Sequence, residues 1–173
     1  MKVVARGRHL AFVDDNGWEH VRRLHGNHAA IIIPVTKDRH VVFVSQFRKP
    51  VDNTTLEFPA GLVGDVREGE SILEAAKCEL REEAGMVSDN WTLLTSGPTA
   101  AGLTNEIITT YLALDCDRIG QGGGNESESE SIEVHLIPAD HAEVFVRHSE
   151  EEGIAIDPKV YAGLYFLKKR NII

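Results

Sequence analysis

Cysteine is scarce in this chain: two among 173 residues, far apart and in no CxxC arrangement. That excludes a disulfide framework and a cysteine-based zinc site. Long apolar runs are missing as well. None approaches the roughly 20 residues that cross a bilayer as a helix. The opening MKVVARGRHLAF is too short in apolar residues, and too broken by arginines, to be a secretory signal. These absences predict a cytoplasmic protein with no membrane partner. Positive charge is in deficit, 18 Lys and Arg against 27 Asp and Glu, for a net charge of -9. Sequence-independent nucleic-acid binding rests on Lys and Arg against phosphates, so no nucleic-acid partner is expected. The eight histidines form no HxH or HExxH pattern and none is assigned to a metal; P-loop and GxSxG signatures are absent too.

The length suits one domain with a sizeable core, and 42% hydrophobic with 26% charged residues is ordinary for a globular protein. Residues 3–21 read as strands around a turn at Asn16-Gly17, the preferred hairpin dipeptide. Residues 29–35, AAIIIPV, read as a buried strand in which Pro34 either leaves one edge unpaired or ends the strand. Residues 40–47 form the next strand. Residues 91–95 are a strand that Ser96-Gly97-Pro98 breaks, and residues 107–114 are another. The stretch GQGGGNESESES, residues 120–131, has the composition of a mobile, solvated linker. It runs into a half-buried strand at Ile132, Val134 and Leu136. A helix runs from Asp140 through His148, and a last helix starts at Pro158 behind the cap Asp157.

Residues 71–86 carry the strongest local signal. Ser71 is an N-cap, Glu74 completes a capping box, and Gly85 supplies a left-handed stop. Ile72, Leu73, Ala76 and Leu80 share one face. Glu79, Glu82 and Glu83 stand at i, i+3 and i+4, so their carboxylates converge at the border of that face. The pattern admits an ordinary solvated acidic face. It also admits a site for a hard divalent cation, which takes oxygen ligands. In an acidic protein a phosphoanhydride substrate would require such a cation against charge repulsion.

Residues 64–86 resemble the Nudix box, Gx5Ex7REUxEExGU, at every fixed position but one: Cys78 stands where the family has Arg. The box glycine is Gly64 by this count, with Gly61 as the alternative. Gln46-Phe47-Arg48 followed by Leu56-Glu57-Phe58-Pro59-Ala60-Gly61 resembles the QxR and LExPAG pair of the ADP-ribose pyrophosphatase branch. The resemblance implies an α/β fold, the Nudix α/β/α sandwich with a mixed sheet and a small N-terminal β-sheet. It divides the chain into an N-terminal strand region, 1–28, and a Nudix domain, 29–173. It implies a metal-dependent hydrolase of a nucleoside diphosphate linked to another moiety, ADP-ribose or a related nucleotide sugar. Glu79, Glu82, Glu83 and the Ala60 carbonyl would hold Mg2+ or Mn2+. Glu130 or Glu128 would be the general base. Arg48, Glu57, Trp18 and Glu106 would face a small-molecule nucleotide substrate, and the chain would be a homodimer. In the family the missing Arg orients the metal-binding glutamates, so two alternatives stay open. One is a weak or inactive nucleotide-binding module. The other is a Nudix hydrolase of dinucleoside polyphosphates or nucleoside triphosphates, against which the LEFPAG segment argues.

Overall fold

Asn16 and Gly17 both have positive φ, 55° and 88°, and the Gly17 N–H donates to Asp14 Oδ1 at 2.7 Å. This turn joins β2 (Leu10–Asp15) to β3 (Trp18–Arg23), and β1 (Lys2–Arg6) adds antiparallel to β2. The three strands are a separate small sheet. The structure is a computed structural model that describes residues 1–64, 69–124 and 131–173.

The larger sheet is mixed. Its strands in chain order are β4 (His28–Thr36), β5 (His40–Arg48), β6 (Asn53–Glu57), β7 (Ala60–Leu62), β8 (Met86–Val87), β9 (Asn90–Pro98), β10 (Ile107–Arg118), β11 (Ile132–Pro138) and β12 (Ala155–Ile156). The path across it is β12-β6-β5-β4-β10-β8, with β11 on β5, β7 on β4 and β9 on β10. Its centre is the parallel pair β4–β10. Among the described residues three α-helices cover it: α1 (Ile72–Ala84), α2 (Ala142–Glu151) and α3 (Pro158–Lys169).

The run AAIIIPV explains why both faces are covered. Successive strand residues point to opposite sides. Ala30 and Ile32 pack with Ala76, Leu80 and Ala84 of α1, while Ile31, Ile33 and Val35 pack with Val146 of α2 and Val160, Leu164 and Leu167 of α3. A strand apolar on both faces belongs in the middle of such a sandwich. Full burial of one such side chain contributes about 1.5–3 kcal/mol, and Ile32, Ile33 and Leu80 are each wholly buried. This is the expected α/β/α architecture with its small N-terminal sheet. Among the described residues no helix is long and apolar enough to cross a membrane.

Two local expectations need correction, and the alternative left open at Pro34 is decided. Pro98 does not break a strand: β9 runs through it to pair Pro98 with Ile107 of β10. Among the described residues its strand partner is β10 alone, so the N–H that proline lacks is not needed on the other side. At Pro34 the alternative of a locally unpaired edge holds, and β4 runs on to Thr36. The proline sits between the residues that pair with β7, Ala29 to Ile31, and the one that pairs with β5, Val35, so the missing donor falls in a gap of the ladder. Finally, residues 120–124 are not a solvated linker: the Gly123 and Gly124 N–H groups donate to the Glu83 and Glu82 carbonyls at the end of α1.

Candidate functional site

Helix α1 has the ends its sequence specifies. The Ser71 side chain accepts from the Glu74 N–H, the Glu74 side chain accepts from the Ser71 N–H, and Gly85 takes the left-handed conformation at φ 65°. With both ends fixed, and Ala76, Leu80 and Ala84 seated on the sheet, the register of the helix is set. Glu79 and Glu83, one turn apart, then face the short strand β7. The Glu83 carboxylate is buried, 5% exposed, and accepts the Ala60 N–H at 2.9 Å. Glu79 lies against Gly61 so closely that a Cβ there would stand 1.9 Å from its Oε1. Gly61 therefore leaves the space that a carboxylate needs to come this close to the backbone. Glu82, beside them, is exposed.

The donor set suits a hard divalent cation: carboxylate oxygens and a backbone strand edge, with no imidazole. The glycine space that admits Glu79 to the β7 backbone is the structural observation favouring that fit. As placed, no three His, Cys, Asp or Glu side chains among the described residues converge on one point. What the structure shows of Ala60 is its N–H donating to Glu83, not a role for its carbonyl.

The other expected residues fall in two further groups. Arg48 and Glu57 are brought together across the β5–β6 hairpin as a two-pronged pair, Nε to Oε1 and Nη2 to Oε2, each 2.7 Å. Glu57 is only 8% exposed, so the guanidinium fork is fixed by a buried partner. Trp18 and Glu106 belong to the contact between the N-terminal sheet and the loop before β10. Trp18 is exposed and donates its indole N–H to the Gly102 carbonyl at 3.2 Å. Glu106 is paired with Arg23 and accepts the Thr99 hydroxyl at 3.1 Å. Arg23 is thus the partner that holds Glu106 at this contact. Glu128 and Glu130, and Glu126 with them, lie outside the described residues.

Sequence reasoning missed Arg23, the neighbouring Asn105 whose side chain accepts the Arg23 N–H, and the glycines at 122–124. The Arg23–Glu106 partners are far apart in the chain, and no local pattern marks such a pair. Of the two thiols, Cys116 is core: burial pushes its pKa up to about 11, so it is not a nucleophile. Cys78 is half-buried on α1.

A family model for the NUDIX domain matches residues 26–160. The chain is 30% identical over 145 residues to an ADP-ribose pyrophosphatase of Bacillus subtilis, spanning 84% of this chain and 74% of that protein. It is 29% identical over 145 residues to a methanol dehydrogenase activator of Bacillus methanolicus, again spanning 84% of this chain and 74% of the other. A crystal structure of an ADP compounds hydrolase superposes with a TM-score of 0.73 at 23% identity, over 99% of this chain and 94% of the other.

Proposed function

This chain belongs to the NUDIX domain family, and on that premise we propose that it hydrolyses the diphosphate of a nucleoside diphosphate linked to a second moiety, ADP-ribose or a related nucleotide sugar first. The observation that carries the proposal is the lodging of Glu79 and Glu83 against β7, with Gly61 clearing the space. The match to the ADP-ribose pyrophosphatase of Bacillus subtilis supports the substrate class.

Nudix hydrolases use a divalent metal. Bound here, Mg2+ or Mn2+ would offset the charge of the diphosphate and lower the pKa of a water. Glu79, Glu82 and Glu83 would hold it, together with the Ala60 carbonyl. Arg48, held by Glu57, would bring its positive charge to a phosphate. A glutamate of the segment before β11, Glu130 first and Glu128 next, would take the proton of the attacking water. In that step one P–O bond forms to the water oxygen and the bridging P–O bond breaks, leaving two phosphate monoesters. Trp18 and Glu106 would meet the substrate at the N-terminal sheet, where a second copy would also dock. The division of the chain at residue 28 belongs to the same proposal.

The test is turnover of ADP-ribose with and without Mg2+, read as AMP and ribose 5-phosphate. No release of either product in Mg2+ or Mn2+ sinks the proposal. Cys78 in the place of the box arginine favours a second reading, a nucleotide-binding module with little activity. ADP-ribose binding by calorimetry without turnover would select that reading.

A further inference from the structure

The last turn of any α-helix leaves its carbonyls without intrahelical partners. In α1 two of those carbonyls belong to Glu82 and Glu83, which carry the carboxylates. The Gly85 N–H satisfies Arg81 O at 3.1 Å, and the next two are satisfied from outside the helix. Gly123 donates to Glu83 O at 2.9 Å and Gly124 to Glu82 O at 3.2 Å. In return Gly85 O accepts from the Ile119 and Gly120 N–H groups at 2.8 and 3.1 Å. The segment is fixed to the sheet where β10 ends, with Arg118 Nε donating to Gly120 O at 3.0 Å.

The two backbones meet without side chains between them. Gly122 has φ +72°, and a Cβ on it would stand 2.3 Å from Glu83 O. A Cβ on Gly85 would stand 2.6 Å from both Gly120 O and the Gly122 nitrogen. Gly120, in the same segment, has nothing within 4 Å of the corresponding position and no positive φ. Glycine is therefore demanded at 122 for two reasons, conformation and space, and at 120 for neither.

We propose that residues 122–124 are positioning residues: a backbone clamp that holds the final turn of α1 in register so that Glu82 and Glu83 present their carboxylates together. Without the clamp the turn would fray, because two of its carbonyls would exchange protein donors for water. A site of this kind must be held to within about 0.5 Å. The clamp rests on the reading of Glu79, Glu82 and Glu83 as a metal site, and its test must separate the two.

Mn2+ affinity of the folded protein, followed by the paramagnetic resonance signal of free Mn2+, makes that separation. Parent, Glu82→Gln, Glu83→Gln, Gly120→Ala and Gly122→Ala would be titrated, with melting temperatures in EDTA alongside. Gly122→Ala should weaken Mn2+ binding by about 10–100-fold, as loss of supporting contacts to ligands does, and Gly120→Ala should bind as the parent does. A Gly122→Ala protein that melts earlier but binds Mn2+ like the parent shows plain structural glycine and overturns the clamp. If both glutamine variants bind Mn2+ like the parent, the metal reading fails and the clamp with it. Should Gly122→Ala not fold, the unaltered protein decides. By linkage, Mg2+ should slow amide exchange at Gly123 and Gly124, and exchange equal with and without Mg2+ overturns the proposal.

Discussion

At the scale of the residue, Glu83 both fills a buried position and carries a charge that the protein must tolerate. Glu83→Gln keeps the shape and an oxygen to accept the Ala60 N–H, and removes the charge. Metal-dependent turnover should fall to near background, while the melting temperature in EDTA should hold or rise as repulsion among the glutamates is relieved. Parent-like turnover with a normal fold would refute the assignment. Gly61→Ala asks the converse question. The added methyl meets the far end of the Glu79 side chain rather than backbone, so Glu79 can swing away and stability should change little. Its carboxylate would be displaced, and Mn2+ affinity should drop with the melting temperature almost intact. Cys78→Arg restores the family's orienting cation beside Glu79. It should raise metal affinity or turnover, on the order of 10–100-fold if misaligned ligands are the deficit. A fall in both would mean that the helix has repacked around the thiol.

At the scale of the element, α1 was legible almost entirely, because a capping box and a left-handed glycine act within one turn of the chain. Ser71→Ala removes the acceptor for the Glu74 N–H and should cost about 1 kcal/mol, readable as a shifted urea midpoint with an unchanged slope. The hairpin at Asn16-Gly17 was legible for the same reason. The misread elements share the opposite cause. Pro98 looks like a strand breaker in sequence and is tolerated because, among the described residues, β10 is the only strand that β9 pairs with, which no local window records. The glycines at 122–124 have the composition of a linker, yet their N–H groups meet the end of a helix about forty residues earlier in the chain, a separation that costs little extra closure entropy. The carboxylate spacing was legible. The burial of Glu57, its two-pronged hold on Arg48 and the Arg23–Glu106 pair depend on strand register and on docking between sheets, and so appeared only in three dimensions.

At the scale of the whole molecule, stability should depend on pH through His135. Its ring takes part in a hydrogen bond with the Ser45 hydroxyl, 2.8 Å, and lies tilted against the Phe145 ring of α2. Burial holds its pKa below the usual value, opposed in part by Glu133. The folded ring therefore stays neutral where the unfolded one, with an ordinary pKa near about 6.5, takes up a proton. Stability is full above that value and is lost as pH falls toward the folded pKa. His135→Gln keeps an acceptor for Ser45 and should flatten the decline that sets in as pH falls below about 6.5 in urea melts; an identical decline would place its origin elsewhere. The parallel pairing of β4 with β10 has a consequence in time rather than in space. His28 is matched with Ile107, so the middle of the sheet closes only after about eighty intervening residues have been gathered in, and such distant contacts fold slowly. A chain emerging from the ribosome would complete β4 to β7 and α1 with the inner flank of β4 still bare. Until β10 arrives, that flank is an open apolar strand edge. This stage is where aggregation or chaperone capture should concentrate.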